Sequence, residues 1–221
     1  MIDHIYRYER KFVISSLQYE LAKNKIELDG WTKRFPKRTI NNIYLDNISL
    51  DSYHQTNDGD LRKEKIRIRW YGHTFPFDRI IRNPILEFKV KKDNLNYKIS
   101  KPMESIEIFI GMPLTMLKKE IFCQLERILN EQDNAKMKYK EIQFINNYER
   151  EYFINKTSNV RLTIDRSQNY FHTTPVIKHS TAVNSIVIEL KYNLGQDFNN
   201  FVIRTNLIQN SKYKNGVDLL S

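Results

Sequence analysis

The chain is poor in cysteine, in chain-breaking residues and in long apolar runs, and each shortage excludes something. A single cysteine, Cys123, in 221 residues rules out an internal disulfide framework and a cysteine-built zinc site. Nothing therefore asks for an oxidising compartment, and a cytoplasmic location is expected. No run of about 18 apolar residues occurs, and Asp3 brings charge close to the start, so neither a membrane span nor a signal peptide is expected. The G-x-x-x-x-G-K-S/T pattern is missing, which removes the P-loop route to ATP. His4, His54, His73, His172 and His179 show no H-x-x-x-H or similar spacing, so they read as surface or packing residues. Six Gly and six Pro fall singly, without a linker or a fixed repeat, and one domain over residues 1–221 is expected.

What remains is apolar enough to fold. Hydrophobic residues make up 40% and aromatic ones 12% of the chain, well beyond a disordered composition. Thirty-six Lys and Arg against 26 Asp and Glu leave +10, and a pI near 9.5 calls for an anionic partner: nucleic acid, anionic lipid or a phosphate-rich small molecule. Ile5–Ile14 alternates and predicts a strand, with Ser15 or Ser16 capping a helix over Leu17–Leu28. Further strands are predicted at Thr39–Leu45, Lys63–Tyr71, Ile85–Lys92, Tyr97–Lys101, Glu141–Ile154, Val160–Asp165 and Ser185–Tyr192. Ser49–Gln55 predicts a helical turn capped by Asn47 or Ser49. Pro113–Asn130 sets Leu117, Ile121, Leu125, Ile128 and Leu129 on one helix face, with Thr115 as the cap. A last helix, opened by Asp197, is marked by Phe198, Phe201, Val202 and Leu207. Without βαβ alternation, these strands and helices predict an α+β or barrel-like fold. Cys123 reads as a small packing residue of its helix, and Tyr8, Trp70, Tyr71 and Phe88 as core or outer-wall residues.

Residues two apart on a strand share a face, and the charges obey that rule. Arg7, Glu9 and Lys11 share one face; Lys65, Arg67 and Arg69 another; then Glu87, Lys89 and Lys91; Arg161 and Asp165; Glu189 and Lys191. With Lys98 and Arg150 added, these faces carry eleven cations against four acids. A solvated face mixes its signs, whereas eleven cations less four acids leave +7 here, most of the net +10 of the chain. The intervening residues are greasy: Ile66, Ile68 and Trp70; Leu86, Phe88 and Val90; Leu162 and Ile164; Ile188, Leu190 and Tyr192. A sheet closed with its greasy face outward, under helices, would bring the charged faces together on the axis. Crowded Lys and Arg there would cost several kcal/mol unless a polyanion neutralised them. Because the basic residues are interleaved along strands rather than clustered on a helix or tail, nucleic acid is not the expected partner.

The ordered set of these segments resembles the catalytic domain of vacuolar transporter chaperone (VTC) polyphosphate polymerases, within the triphosphate tunnel metalloenzyme (CYTH-like) superfamily. The pieces are Glu9-Arg10-Lys11-Phe12; Ile43-Tyr44-Leu45-Asp46-Asn47 followed by Tyr53; Lys65-Ile66-Arg67-Ile68-Arg69-Trp70-Tyr71; Leu86-Glu87-Phe88-Lys89; Tyr97-Lys98; Tyr148-Glu149-Arg150-Glu151-Tyr152-Phe153; Val160-Arg161-Leu162-Thr163-Ile164-Asp165; Ile188-Glu189-Leu190-Lys191-Tyr192; and Ser211-Lys212-Tyr213. The match runs from Tyr8 to Gly216. It implies an α+β fold with a closed antiparallel eight-stranded β-barrel, the triphosphate tunnel, and peripheral helices. It also implies that Lys11, Arg67, Arg69, Lys89, Arg150 and Arg161, with Lys98, hold ATP and a growing polyphosphate chain. Ser211 and Lys212 would meet phosphate near one mouth, Tyr148 would offer its hydroxyl, and Glu189 would bind Mn²⁺ or Mg²⁺, with Glu9 as a weaker second ligand. Lys65, Lys91 and Lys191, on the same faces, join the phosphate contacts. Gln209 stands where the family often has a further basic residue.

The implied activity is metal-dependent transfer of the γ-phosphate of ATP to inorganic polyphosphate. One alternative is a triphosphatase of the same superfamily, acting on inorganic triphosphate or RNA 5′ ends; another is a non-catalytic module that binds polyphosphate or nucleotide. Triphosphatases commonly carry paired acids on the first and last strands. Here those strands read Arg7-Tyr8-Glu9 and Glu189-Leu190-Lys191, which favours holding phosphate over hydrolysing it. With no anchor or regulatory domain expected, coupling to export would need a membrane partner.

Overall fold

The computed structural model describes residues 7–76, 78–92, 95–193 and 210–220. In chain order the elements are β1 (Arg7–Ile14), α1 (Ser16–Leu28), β2 (Trp31–Asp46), α2 (Asp51–Asn57), β3 (Arg62–Gly72), β4 (Ile80–Ile81), β5 (Ile85–Lys92) and β6 (Leu95–Pro102). They continue with β7 (Ile106–Glu107), α3 (Leu114–Ile128), α4 (Glu131–Met137), β8 (Glu141–Asn155), β9 (Val160–His172), β10 (Lys178–Val183), β11 (Ile186–Asn193) and α5 (Lys212–Leu220). The fold is α+β: a large antiparallel sheet with five helices among the described residues. Its strand order is β1-β11-β9-β8-β2-β3-β5-β6, with β10 on β9, and β4 pairs separately with β7.

The chain gathers into two compact units. Unit 1 comprises Met1–Arg38, Tyr148–Gln168 and Ala182–Ser211; unit 2 comprises Thr39–Asn147, Asn169–Thr181 and Lys212–Ser221. Each has its own apolar core. In unit 1, Phe12 and Ile14 of β1, Leu162 and Ile164 of β9, and Ile188 and Leu190 of β11 pack with Tyr19, Ala22 and Ile26 of α1. In unit 2, Ile66, Ile68 and Trp70 of β3 and Leu86 and Phe88 of β5 pack with Leu117, Ile121 and Leu125 of α3. The greasy alternate residues thus lie under helices, and the charged ones project from the opposite face of each strand.

Local signals account for several boundaries. Ser15 caps α1 through a capping box: its hydroxyl accepts from Gln18 N–H while the Gln18 side chain accepts from Ser15 N–H. Asn47 accepts from Asp51 N–H at 2.9 Å and so starts α2 from four residues away, although Leu50 holds the cap position itself. Helix α3 corrects the expected cap. Pro113 is its N-cap, without a side-chain bond, and Thr115 lies inside the helix. The expected last helix from Asp197 lies outside the described residues, as does Gln209. Cys123 is exposed on α3 instead of packed, because its neighbours Gln124 and Leu125 take the buried side. Trp70 and Phe88 are core residues as expected, whereas Tyr8 and Tyr71 are exposed.

Candidate functional site

Unit 2 organises its charge around one buried acid. In the β3–β5 pairing Lys63 lies opposite Lys91, Lys65 opposite Lys89, and Arg67 opposite Glu87. In the β5–β6 pairing Lys89 lies opposite Lys98. The same-face residues therefore form rows across the strands, and the row Lys65–Lys89–Lys98 is entirely cationic. Glu87 is 2% exposed. Its Oε2 accepts from Arg67 Nε at 2.8 Å and lies 2.6 Å from Arg67 Nη2, while its Oε1 accepts from Lys98 Nζ at 2.8 Å. Arg69 Nη1 stands 3.7 Å away. Burial opposes the charge on Glu87, but Arg67, Arg69 and Lys98 outweigh it and push its pKa down to about 2.

Arg69 is also held from behind. Its Nε donates to Asn42 Oδ1 at 3.3 Å, and Asn42 Nδ2 donates to Asn146 Oδ1 at 3.0 Å. The Nδ2 of fully buried Asn146 has no hydrogen-bond partner among the described residues. The guanidinium is thus fixed at one end of a polar chain whose far donor lacks an acceptor.

Unit 1 carries a second charged face, on β1, β11, β9 and the end of β8. Lys11 lies opposite Glu189, Glu9 opposite Lys191, and Lys191 opposite Arg161. Lys191 Nζ sits between two acids, 3.1 Å from Glu9 Oε1 and 3.0 Å from Glu189 Oε1. Arg150 binds Asp165 with two parallel bonds, Nε to Oδ1 at 2.5 Å and Nη2 to Oδ2 at 2.6 Å, and reaches Glu189 Oε2 at 3.7 Å. Burial disfavours the charge on Arg150, yet Asp165 and then Glu189 hold its pKa well above the ordinary value. Lys191 behaves likewise: burial lowers its pKa, and Glu189 and Glu9 raise it by more. The Arg150 guanidinium lies 5.3 Å over the ring of buried Tyr148. Lys11 Nζ donates to the carbonyl of Asn210 at 3.1 Å, beside Ser211. The buried hydroxyl of Thr163, opposite Glu189, has no hydrogen-bond partner among the described residues.

Of the expected site residues, Arg67, Arg69 and Lys98 meet at Glu87, with Lys65, Lys89 and Lys91 in the adjoining rows. Lys11, Arg150, Arg161, Lys191, Glu9 and Glu189 share the face of unit 1. Ser211 is half-buried there, and Lys212 begins α5 in unit 2. Sequence reasoning missed the part of Glu87 as the common partner of three cations, because strand parity gives a face but not which charges touch. It also missed the Asn42–Asn146 support of Arg69 and the placement of Lys63 in the rows. For Lys63 the signal was present: it precedes Lys65, Arg67 and Arg69 at the same two-residue step.

Helix α5 seals unit 2. Tyr213 donates to Asp46 Oδ2 at 2.5 Å, and its ring stacks on Phe144 at 5.8 Å between centroids. Asp46 also accepts from Ser52 N–H and Oγ and pairs with Lys140 Nζ at 3.4 Å. Burial, followed by Asp46, raises the Tyr213 phenol well above its ordinary pKa. Tyr53 adds a bond to Asp218 of the same helix at 2.6 Å.

A divalent cation was expected at Glu189 and Glu9. No cluster of three or more His, Cys, Asp or Glu suited to a metal occurs among the described residues. Lys191 Nζ stands between the two carboxylates, 3.1 Å from Glu9 and 3.0 Å from Glu189, so a divalent ion held by both would have to take the place of its ammonium. Magnesium-like ions are commonly held by one or two carboxylates, with phosphate oxygens and water completing the shell.

Three solved structures of similar shape are a protein of Pyrococcus horikoshii, a candidate adenylate cyclase of Vibrio parahaemolyticus and another of Bacillus halodurans. The first shares 15% identity at a TM-score of 0.46, over 87% of this chain and 80% of that one. The second shares 10% at 0.45, over 88% and 80%, and the third 10% at 0.48, over 85% and 82%. No curated protein sequence matches the chain. The family model of the VTC domain matches residues 6–221. The chain, with its interleaved strand cations gathered around buried acids, belongs to the VTC domain family.

Proposed function

We propose that this protein is a metal-dependent polyphosphate polymerase, which transfers the γ-phosphate of ATP to a growing inorganic polyphosphate chain inside a cationic tunnel. The observation that carries the reading is the row Lys65–Lys89–Lys98, three cations directly opposite one another across paired strands. Like charges so placed destabilise a sheet unless an anion lies against them. Glu87 of the neighbouring row accepts from Lys98 of this row and from Arg67.

The chemistry follows from charge held still. Phosphoryl transfer passes through a loose transition state whose charge spreads over the phosphate oxygens, so positioning and electrostatics supply most of the catalysis. Arg67 and Arg69, oriented by Glu87 and Asn42, offer planar forks to those oxygens; the lysines act as point charges that let a chain shift. The terminal oxygen of the acceptor chain attacks the γ-phosphorus of ATP, the bond from that phosphorus to the β,γ-bridging oxygen breaks, and ADP leaves with the electron pair. No covalent enzyme intermediate is needed. A divalent ion at Glu189 and Glu9 would supply further neutralisation of charge on the phosphates. Lys191, Arg150 and Lys11 hold phosphate oxygens on that face, and Tyr148 supports Arg150 from below.

The products of ATP and Mn²⁺ incubated with the purified protein, separated on a gel, test the proposal. A ladder of polyphosphate chains is expected. Orthophosphate without polymer, from folded and metal-loaded protein, would instead mark a triphosphatase, and absence of turnover would mark a binding module.

A further inference from the structure

We propose that the outward face of α1 is a self-association surface, on which α1 of a second copy of this chain packs in parallel as a short two-stranded coiled coil. The surface lies within unit 1, on the helix side of its strands, and is independent of what their charged side binds.

Helix α1 is apolar on two sides. Tyr19, Ala22 and Ile26 are buried in the core of unit 1. At about 100° per residue, Leu17, Leu21, Asn24 and Leu28 fall on the opposite side in a single stripe. The three leucines are 75%, 64% and 86% exposed. Residues three and four apart are neighbours on a helix surface, so the leucines and Asn24 form one continuous strip. Single exposed leucines are ordinary, but a continuous strip marks an interaction surface.

The spacing names the occupant. Its steps place Leu17 and Asn24 at d, and Leu21 and Leu28 at a, of a heptad, the seam along which two like helices pack. The flanks name the orientation. Glu20 and Glu27 line one edge of the strip, at g, while Gln18 and Lys25 line the other, at e. Lys23 is turned away, its ammonium 5.7 Å over the ring of Tyr19. In a parallel pair each g residue faces the next e residue of its mate, so Glu20 meets Lys25 of the partner subunit, and the two-fold axis repeats the contact. An antiparallel pair would set Glu20 against Glu27 and repel. The present partners, Lys23 at 3.7 Å from Glu20 and Asp29 at 2.9 Å from Lys25, are solvent-accessible pairs that exchange at little cost.

Asn24 meets its own counterpart in this arrangement, and a polar residue inside the seam fixes register at some cost in stability. Because α1 is already folded on its own core, pairing orders no new helix. So short a seam buries little area, and the dimer is weak and concentration-dependent. A lipid surface fits less well: helices that lie on membranes carry Lys and Arg beside the apolar face, whereas acids flank this one.

Sedimentation equilibrium of the full chain over a range of concentrations tests this. The parent is expected to dimerise. Leu21→Glu and Leu28→Glu should remain monomeric and melt within about 2 °C of the parent, since both side chains point to solvent. Glu20→Lys and Lys25→Glu should each weaken the dimer about tenfold, because both symmetric contacts reverse. The two together should restore it. With Cys123→Ser in place, Asn24→Cys should oxidise to a covalent dimer, because the parallel seam sets the two copies of position 24 side by side. A parent that stays monomeric, or a dimer that survives Leu21→Glu and Leu28→Glu, would overturn the proposal. Failure of the double charge reversal to restore the dimer, or of Asn24→Cys to cross-link it, would overturn the parallel pairing.

Discussion

At the scale of single residues, Glu87 decides how the charged face of unit 2 survives without a ligand. Its carboxyl is held at about 2 against an ordinary 4.5, by Arg67, Arg69 and Lys98 acting against burial. A group whose folded pKa is lowered stabilises the fold above its unfolded value and loses that contribution as pH falls through the folded one. The window here runs from about 4.5 down to about 2, and its depth is of order 3 kcal/mol. Glu87→Gln should therefore flatten this part of an acid-unfolding curve followed by circular dichroism. An acid limb unchanged from the parent would contradict the assignment.

Glu189 yields a different outcome from its neighbours. Each cation it touches keeps another acid: Lys191 retains Glu9, and Arg150 retains Asp165. Glu189→Gln is thus expected to fold, and to bind triphosphate without metal at least as well as the parent. Its metal-dependent turnover should fall 100-fold or more, on the order of 3 kcal/mol of transition-state stabilisation. Near-normal turnover in the folded variant would place the metal elsewhere.

Among the elements, α5 shows how close approach is achieved. A Cβ built on Gly216 would lie 2.2 Å from Cζ of Phe144, whose ring is flanked by Tyr44, Tyr170 and Tyr213 and has nowhere to go. Alanine improves helix propensity by about 1 kcal/mol, but overpacking costs about 1–3 kcal/mol. The clash should win. Gly216→Ala is expected to lower the melting temperature by a few degrees, and a rise would mean that α5 sits looser than described.

Element by element, the sequence was legible where a periodic face met a core. The strands with alternating Ile, Leu and Phe, and α3 with its Leu117–Ile121–Leu125 stripe, lie where their patterns predict. Strand β2 begins eight residues earlier than expected, because Thr32–Lys37 is exposed throughout and carries no burial pattern. The short α4 was hidden for a similar reason: it buries only Met137. The site was legible as faces and signs. Its contacts were not, since parity cannot tell that Glu87 takes three cations or that Asp165 takes Arg150 in preference to Arg161's neighbour Lys191.

For the whole molecule, the net charge of +10 is concentrated on strand faces that alternate with apolar walls. Each unit stabilises its own face by a few internal acids: Glu87 in one, Glu9, Asp165 and Glu189 in the other. These leave an excess of cations, the feature on which the proposed polyphosphate ligand rests. A ligand that binds only the folded state stabilises it by RT ln(1 + [L]/Kd), about 2.7 kcal/mol at one hundred times Kd. For a chain of this length that corresponds to roughly 5 to 10 °C.

The most direct measurement is the melting temperature with tripolyphosphate and with sulfate at matched ionic strength. Tripolyphosphate is predicted to raise it by several degrees at concentrations where sulfate raises it little. An equal rise from both would show that the cations respond to screening alone, and would contradict their assignment as a seat for linked phosphates.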